Sequence, residues 1–316
     1  MTTVVALAFV TLAEASIGIF VKLVDGAIPI ATLNFYRVAF AALFIFGALL
    51  LTQRSALRFP RDNIRDILIV GFLIALQISL FNTAMSLAPV ANVVIFWSVA
   101  PFFVFIFSSI FLKERPQPIY IPIFLIAFVG TLIAEPLSFT AAWTTEQLGN
   151  LIALSTGIVY AALVTYLRRE GKTETRVDIL WFMLAASIYL LPALFVFGPG
   201  QFLAESTRSL LGVSVPVGLW AICLGMLSTG VAYFGISIVL RKIDANIYAL
   251  IDIIVSPVIA GILAFLIFAE IPSERTMLGG TVLLLSGALL SYLRTRELRI
   301  LKKLPIPPVG PGGTGR

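Results

Sequence analysis

The chain has 316 residues, of which 59% are hydrophobic and only 12% are charged, and its net charge is +6. Soluble domains carry about 25% charged residues, so this composition excludes an ordinary soluble enzyme and requires contact with lipid. The sequence has no histidine and a single cysteine, Cys223. Histidine-based metal sites, histidine proton relays and an internal disulfide are therefore excluded.

Ten apolar stretches follow one another along the chain, most of them close to the length of about 20 residues that a helix needs to cross a membrane. They lie at 4–24, 30–51, 64–86, 90–112, 119–135, 148–168, 177–198, 216–240, 246–268 and 275–294. The first stretch lacks a basic start and carries Glu14 at its centre, so we interpret it as a span rather than a cleaved signal peptide. The sequence predicts an all-α polytopic membrane protein with ten transmembrane helices.

The placement of the positive charges predicts the orientation of these spans. With ten alternating helices, most of the 22 lysines and arginines fall on the side that also holds both termini. Basic loops stay in the cytoplasm, so we expect both termini to be cytoplasmic and the protein to lie in a bacterial inner membrane. This topology accounts for the basic charge, and no nucleic-acid partner is expected.

The second half of the chain repeats the landmarks of the first half. The first half contains Ala91-Asn92, Pro101 and Glu114, and the second half contains the corresponding Ala245-Asn246, Pro257 and Glu270. The interval from proline to glutamate is the same in both halves. We therefore expect two five-helix repeats at 1–140 and 141–296, followed by a disordered basic Pro/Gly-rich tail at 297–316. Because five is odd, the two repeats are predicted to be inverted across the membrane, a design of many secondary transporters.

These features resemble the drug/metabolite transporter superfamily with its tandem EamA repeats. The resemblance rests on the ten spans, the doubled Pro-x12-Glu-x-Pro pattern and the segment Asn34-Phe-Tyr-Arg37, and it covers roughly residues 1–296. Length and aromatic content are most similar to bacterial aromatic amino-acid exporters of the YddG type. The resemblance implies export from the cytoplasm through a central cavity lined mainly by the first, third, fourth, sixth, eighth and ninth helices.

Three charged residues lie well inside the predicted spans, where an unpaired charge is costly: Glu14, Arg37 and Asp252. Arg37 is interpreted as a buried tie between helices, paired with Glu14 or with backbone carbonyls. Glu14 and Asp252 each have two interpretations. Either carboxyl could bind a substrate ammonium or carry a coupling proton, or it could make a purely structural contact.

Uncharged polar residues on the implied cavity helices are candidates for substrate contact. The candidates are Gln77, Asn82, Trp97, Tyr160, Tyr233, Tyr248 and Ser256. A zwitterionic amino acid needs amide and hydroxyl partners together with an apolar slot for its side chain. The same residue types also serve as hydrogen-bonding links between helices and as anchors at the membrane interface. Pro101 and Pro257 are candidate hinges, or else static kinks that shape the cavity.

No catalytic motif, nucleotide-binding motif or metal-ligand set is present in the sequence, so we expect neither an enzyme nor a cofactor. The expected function is export of small amphipathic metabolites, above all aromatic and other apolar amino acids, by alternating access between the inverted halves. The alternatives are a multidrug or lipophilic-cation exporter and a non-transporting membrane scaffold. The expected partners are a small-molecule substrate and the lipid bilayer, and the sequence leaves the oligomeric state open.

Overall fold

A computed structural model describes residues 3–52, 54–57, 59–113, 118–134, 143–169, 176–204, 206–210, 212–239 and 245–303. Almost all of this part of the chain is helical. In chain order the α-helices are α1 Thr3–Ala15, α2 Ile17–Val24, α3 Ile30–Thr52, α4 Ile64–Leu87, α5 Val90–Trp97, α6 Ala100–Phe111, α7 Tyr120–Ala134, α8 Thr145–Arg169, α9 Arg176–Phe197, α10 Val217–Cys223, α11 Val231–Val239, α12 Ala245–Phe268 and α13 Glu274–Lys303. Two short strands, β1 Thr207–Leu210 and β2 Val213–Pro216, pair as an antiparallel hairpin in which Thr207 faces Pro216.

Eight segments of the described chain are long and apolar enough to cross a membrane, and two shorter apolar helices accompany them. The eight are Leu7–Val24, Ile30–Thr52, Arg61–Leu87, Val90–Phe111, Thr145–Arg169, Asp178–Phe197, Val217–Ile236 and Glu274–Leu293; the shorter two are Tyr120–Ala134 and Val255–Phe268. Large apolar side chains cover the outer surface of the bundle, as contact with lipid tails requires. A polytopic helical membrane protein is therefore confirmed, whereas ten crossings and cytoplasmic termini stay predictions.

Three of the predicted spans are irregular at mid-membrane. The first span divides into α1 and α2 at Ser16, the fourth divides into α5 and α6 after Trp97, and the eighth contains a π-helical turn at Leu224–Gly230, here called the π segment. Irregular backbone at membrane depth is tolerated only where protein or a cavity surrounds it. The irregular turns therefore mark the interior of the bundle.

The two candidate hinge prolines lie in different backbone settings. Pro101 occupies the first turn of α6, and the fourth span breaks just before it, at Ser98 and Val99. A proline ring clashes with the carbonyl four residues earlier, here that of Trp97, so the break lies where this proline interrupts the helix. Pro257 lies inside the continuous helix α12, where it removes a backbone hydrogen bond.

Helix packing is symmetric under exchange of the two predicted repeats. Helices in equivalent positions pack on each other in the pairs α3 with α9, α5 with α12 and α7 with α13, and the contact of α4 with α8 is matched by that of α1 with α11. The largest cluster of buried apolar side chains joins α2 to α5, α10 and α12. One prediction needs correction at the C-terminal end, because α13 continues to Lys303 and the beginning of the predicted disordered tail is helical.

Candidate functional site

A buried arginine links the two predicted repeats. Arg37 on α3 is 4% exposed, and its Nε donates a hydrogen bond of 2.9 Å to Oγ1 of Thr229 in the π segment. Its Nη1 donates to Oδ1 of Asn82 on α4, and Nδ2 of Asn82 donates to Oδ1 of Asn34 at 2.7 Å. Among the described residues, no carboxylate forms an ion pair with Arg37, and its Nη2 donates to no protein group. The Nη2 nitrogen therefore has no acceptor among the described residues, and none of their carboxylates neutralises the guanidinium charge.

Local sequence explains why these groups meet. Asn34 and Arg37 are three residues apart on α3, so they share one face of that helix. In the π segment, Oγ1 of Thr229 donates to the carbonyl of Leu224, five residues earlier, which is the spacing of a π turn. Gly225 allows α3 to approach, because a Cβ at Gly225 would lie only 2.8 Å from the carbonyl oxygen of Arg37. Close backbone packing and the π turn together present Thr229 to the guanidinium.

A second contact joins the irregular turns of the first and eighth spans. The hydroxyl of Ser16, at the division between α1 and α2, lies 2.7 Å from the hydroxyl of Ser228 in the π segment. Ser228 is fully buried. The π segment therefore holds α3 through Thr229 and the first span through Ser228, so both contacts cross between the predicted repeats.

An aromatic cluster begins beside Arg37. The guanidinium carbon lies 5.9 Å from the ring centroid of Phe81, and that ring meets Trp97 edge-on at 6.2 Å. Trp97, the last residue of α5 before the break, meets Tyr160 of α8 in the same way at 5.7 Å. Tyr233, on α11, interacts electrostatically with Arg37. The cluster Phe81–Trp97–Tyr160 thus offers an apolar surface next to a cation.

Two buried polar atoms in this region have no hydrogen-bond partner among the described residues. They are Nε1 of Trp97, a donor, and Oε1 of Gln77, an acceptor. Gln77 lies one turn before Phe81 on α4, so both point from the same face of the helix. A buried polar atom without a partner costs about 1–3 kcal/mol, so such atoms in a native protein call for a partner such as a ligand or water.

The structure gives two of the predicted residues protein partners. Asn82, a candidate for substrate contact, is fully buried; its amide oxygen accepts a hydrogen bond from Arg37 and its amide nitrogen donates to Asn34. Arg37 is a buried tie as expected, although its hydrogen bonds go to Asn82 and Thr229 rather than to Glu14 or backbone carbonyls. Helix periodicity shows which face a residue occupies but does not identify the partner on another helix.

The other predicted site residues are distributed around this centre. Trp97 and Tyr160 are in contact, whereas Ser256 is buried beside Pro257 on α12. Glu14 is half-buried on α1. The side chains of Tyr248 and Asp252 lie outside the described residues.

Three contributors to the site were missed at the sequence level. Phe81, Asn34 and Thr229 were not among the predicted site residues, although the spacing of Asn34 and Arg37 was a usable signal. Within the described part of the chain, no group of three side chains suited to a metal ion occurs.

Comparison with known proteins places this geometry in context. The sequence model of the EamA-like transporter family matches residues 1–135 and, a second time, residues 147–293. The pseudopaline exporter CntI of Pseudomonas aeruginosa is 24% identical over 278 residues, which cover 88% of this chain and 90% of that protein. The uncharacterized transporter YdfC of Bacillus subtilis is 25% identical over 273 residues, covering 84% of this chain and 83% of that protein. A crystal structure at 19% identity has the same fold, with a TM-score of 0.62 over 94% of this chain and 98% of that one.

Proposed function

Because the chain belongs to the EamA-like transporter family, we propose that it exports small amphipathic metabolites that carry a carboxylate, in the first place aromatic and other apolar amino acids. Family membership makes it a multi-pass membrane transporter. The similarity to the pseudopaline exporter supports transport out of the cytoplasm and a small metabolite as cargo. The proposed substrate class, amino acids, follows the resemblance to exporters of the YddG type.

The observation that carries this proposal is the unneutralised charge of Arg37. A charge inside a membrane protein costs several kcal/mol unless a counter-charge compensates it. Asn82 and Thr229 supply hydrogen-bond acceptors but no negative charge, and Nη2 has no acceptor among the described residues. A substrate carboxylate at Nη2 supplies both the missing acceptor and the missing charge. A lipophilic cation is disfavoured at this position because like charges repel.

The surroundings of Arg37 suit the remainder of an apolar amino acid. The rings of Phe81, Trp97 and Tyr160 provide an apolar surface for its side chain. Oε1 of Gln77 is an unused acceptor that suits the substrate ammonium, and Nε1 of Trp97 is a second donor for an oxygen. The carboxylate, the ammonium and the apolar side chain of such a substrate thus have complementary partners in Arg37, Gln77 and the three aromatic rings.

Transport in this proposal proceeds by alternating access between the two repeats. Support comes from the two family matches in tandem and from helix packing that is symmetric under exchange of the halves. Pro257 is the proposed hinge, because it interrupts hydrogen bonding inside a continuous helix. Glu14, half-buried on α1, is proposed to carry the proton if transport proves to be coupled to a pH gradient.

The test is efflux from proteoliposomes loaded with labelled phenylalanine, with phenylethylamine, which lacks the carboxylate, or with a lipophilic dye cation. Phenylalanine is expected to leave and the two cations to stay. Arg37→Gln is expected to lower phenylalanine efflux below saturation by about tenfold or more, because a hydrogen bond to a charged group is lost. Arg275→Gln, at an exposed position of α13, is the matched control and should leave efflux unchanged.

Two outcomes contradict the proposal. Release of phenylethylamine or dye in preference to phenylalanine shows that Arg37 does not select an anion, and it supports a multidrug exporter. Absence of any release from folded protein leaves a membrane scaffold without transport. Monodisperse behaviour in detergent establishes folding of each variant before its efflux is compared.

A further inference from the structure

Glu270, the glutamate of the second repeat motif, connects three helices at one end of the bundle. It follows α12, and its Oε1 forms an ion pair with Nζ of Lys22 near the end of α2. Its Oε2 accepts a hydrogen bond of 2.9 Å from the backbone N–H of Val90, the first residue of α5. The side chains of Lys22 and Glu270 are only 22% and 17% exposed. One carboxylate thus holds the second half of the chain to two helices of the first half.

The backbone before Glu270 has an unusual conformation that recurs in the first repeat. Ala269 has φ of +54°, and Lys113, immediately before Glu114, has φ of +56°. Within the described chain these are the two residues other than glycine with positive φ, and the same spacing separates them as separates the two glutamates. Non-glycine residues are rarely found there, and such strained positions cluster at sites of function or switching. The conformation of Ala269 is therefore a repeated feature rather than a local irregularity.

The bond to Val90 satisfies a group that α5 leaves open. The first N–H groups of a helix have no acceptor within the helix, and a negative charge at this position is favourable. The ion pair and the backbone bond are both charge-assisted, which makes them stronger than bonds between neutral groups. The ion pair uses Oε1 of Glu270 and the backbone bond uses Oε2, so different substitutions can remove one contact and keep the other.

Below Glu270 the two repeats meet in a dense apolar seam. Val90 and Val94 of α5 belong to the same buried cluster as Ala260 and Ala264 of α12 and Val24 of α2. Among the described residues of this seam, no polar side chain links α5 to α12 in the way that Glu270 does at its end. Opening this end of the bundle requires α12 to move away from α5 and breaks both bonds of Glu270.

We propose that Glu270 is the latch that keeps this end of the transporter closed, and that its bonds to Lys22 and Val90 break when the end opens. This inference rests on the alternating access of the proposed function. By the predicted topology the latched end faces outward. Gating then gives Glu270, the glutamate of the second repeat motif, a role apart from the contacts of Arg37.

The latch is tested by the accessibility of a cysteine placed beneath it. Val94→Cys, in a Cys223→Ser background, puts a thiol one turn below Val90. A membrane-impermeant maleimide is applied to intact cells and, in parallel, to inverted vesicles, so that each face is sampled separately. Glu270→Ala removes both bonds, Glu270→Gln keeps an acceptor oxygen for Val90 but loses the ion pair, and Glu274→Ala changes a nearby exposed glutamate as the control.

From the latched face, labelling of Glu270→Ala is expected to be about tenfold faster than that of the parent, because a charge-assisted contact is lost. Glu270→Gln should lie between the two, and Glu274→Ala should match the parent. The exchange Lys22→Glu with Glu270→Lys restores the ion pair without the backbone bond, so it should also be intermediate. Equal labelling of parent and Glu270→Ala from both faces overturns the latch. Labelling needs no substrate, so a failure of phenylalanine efflux with a shifted labelling rate rejects the substrate and supports the latch.

Discussion

Replacing Thr229 with valine removes two hydrogen bonds while leaving the shape of the side chain unchanged. The lost bonds are the one accepted from Nε of Arg37 at 2.9 Å and the one donated to the carbonyl of Leu224 at 3.1 Å. A bond from a charged donor contributes about 1.5–3 kcal/mol and a neutral one about 1 kcal/mol, but hydrogen bonds between membrane helices average only about 0.6 kcal/mol. Because Thr229 is fully buried and valine offers the guanidinium no acceptor, we expect a loss of about 2 kcal/mol.

The free energy of unfolding of Thr229→Val is measured by denaturant titration in mixed micelles, with Thr131→Val as the control. Thr131 also donates to a backbone carbonyl, at 3.0 Å within α7, but it accepts nothing from Arg37. The control should change stability by less than about 0.5 kcal/mol. A loss in Thr229→Val no larger than in the control refutes the claim that this residue anchors the guanidinium.

A double-mutant cycle isolates the contact itself. Arg37→Met and Thr229→Val each remove the Nε bond, so their combined cost should fall short of the sum by about 1–2 kcal/mol. Strict additivity would show that Arg37 and Thr229 contribute independently. The network would then be a geometric coincidence rather than a stabilising contact between the repeats.

Three further predictions use matched pairs or single positions. Gly225→Ala should lower the free energy of unfolding by about 1–3 kcal/mol in the same titration, because the new Cβ would lie 2.4 Å from Cβ of Phe40. Gly261→Ala is the control and should be tolerated, because its Cβ would have no contact nearer than 3.8 Å. Trp97→Phe should raise the KM for phenylalanine about fivefold without loss of stability, because the Nε1 that it removes has no partner among the described residues. Trp181→Phe removes an Nε1 that likewise has no described partner, near the predicted cytoplasmic side, and should leave KM unchanged. Pro257→Ala should slow efflux at saturating substrate if the hinge operates, and an unchanged rate argues for a static kink.

Sequence patterns predicted the spans well because a membrane imposes one strong requirement, an apolar stretch of sufficient length. The break at Ser16 was not predictable from periodicity, since no proline lies near it, whereas the break after Trp97 lies four residues before Pro101, where a proline ring interrupts a helix. The hydroxyl of Ser16 stabilises the first break, because it donates to the carbonyl of Ala13 and is hydrogen-bonded to the hydroxyl of Ser228, which is distant along the chain. The hairpin at residues 207–216 was also missed, although Gly212, with φ of +83°, provides its turn.

The sequence predicted several residues of the candidate site but not which of them contact one another. Arg37 was identified from its burial cost alone, and Trp97 and Tyr160 from their residue types, because these arguments need no partner. The partners of Arg37 could not be predicted, since Thr229 lies 192 residues away and a helix wheel holds no information about a second helix. For the same reason the sequence showed Glu270 only as part of a repeated motif, and its contact with Lys22 required the fold.

The π segment makes the two halves energetically unequal. Its counterpart in the first repeat, α4, is a regular helix throughout, so the tie from Arg37 to Thr229 has no equivalent on the other side of the pseudo-symmetry. In a perfectly duplicated carrier the two facing states would have equal energies and equal populations. A contact that is worth about 1.4 kcal/mol more in one state shifts that balance tenfold. If the proposed alternating access operates, this asymmetry gives the unliganded carrier a preferred resting direction that its own chain sets before any gradient acts on it.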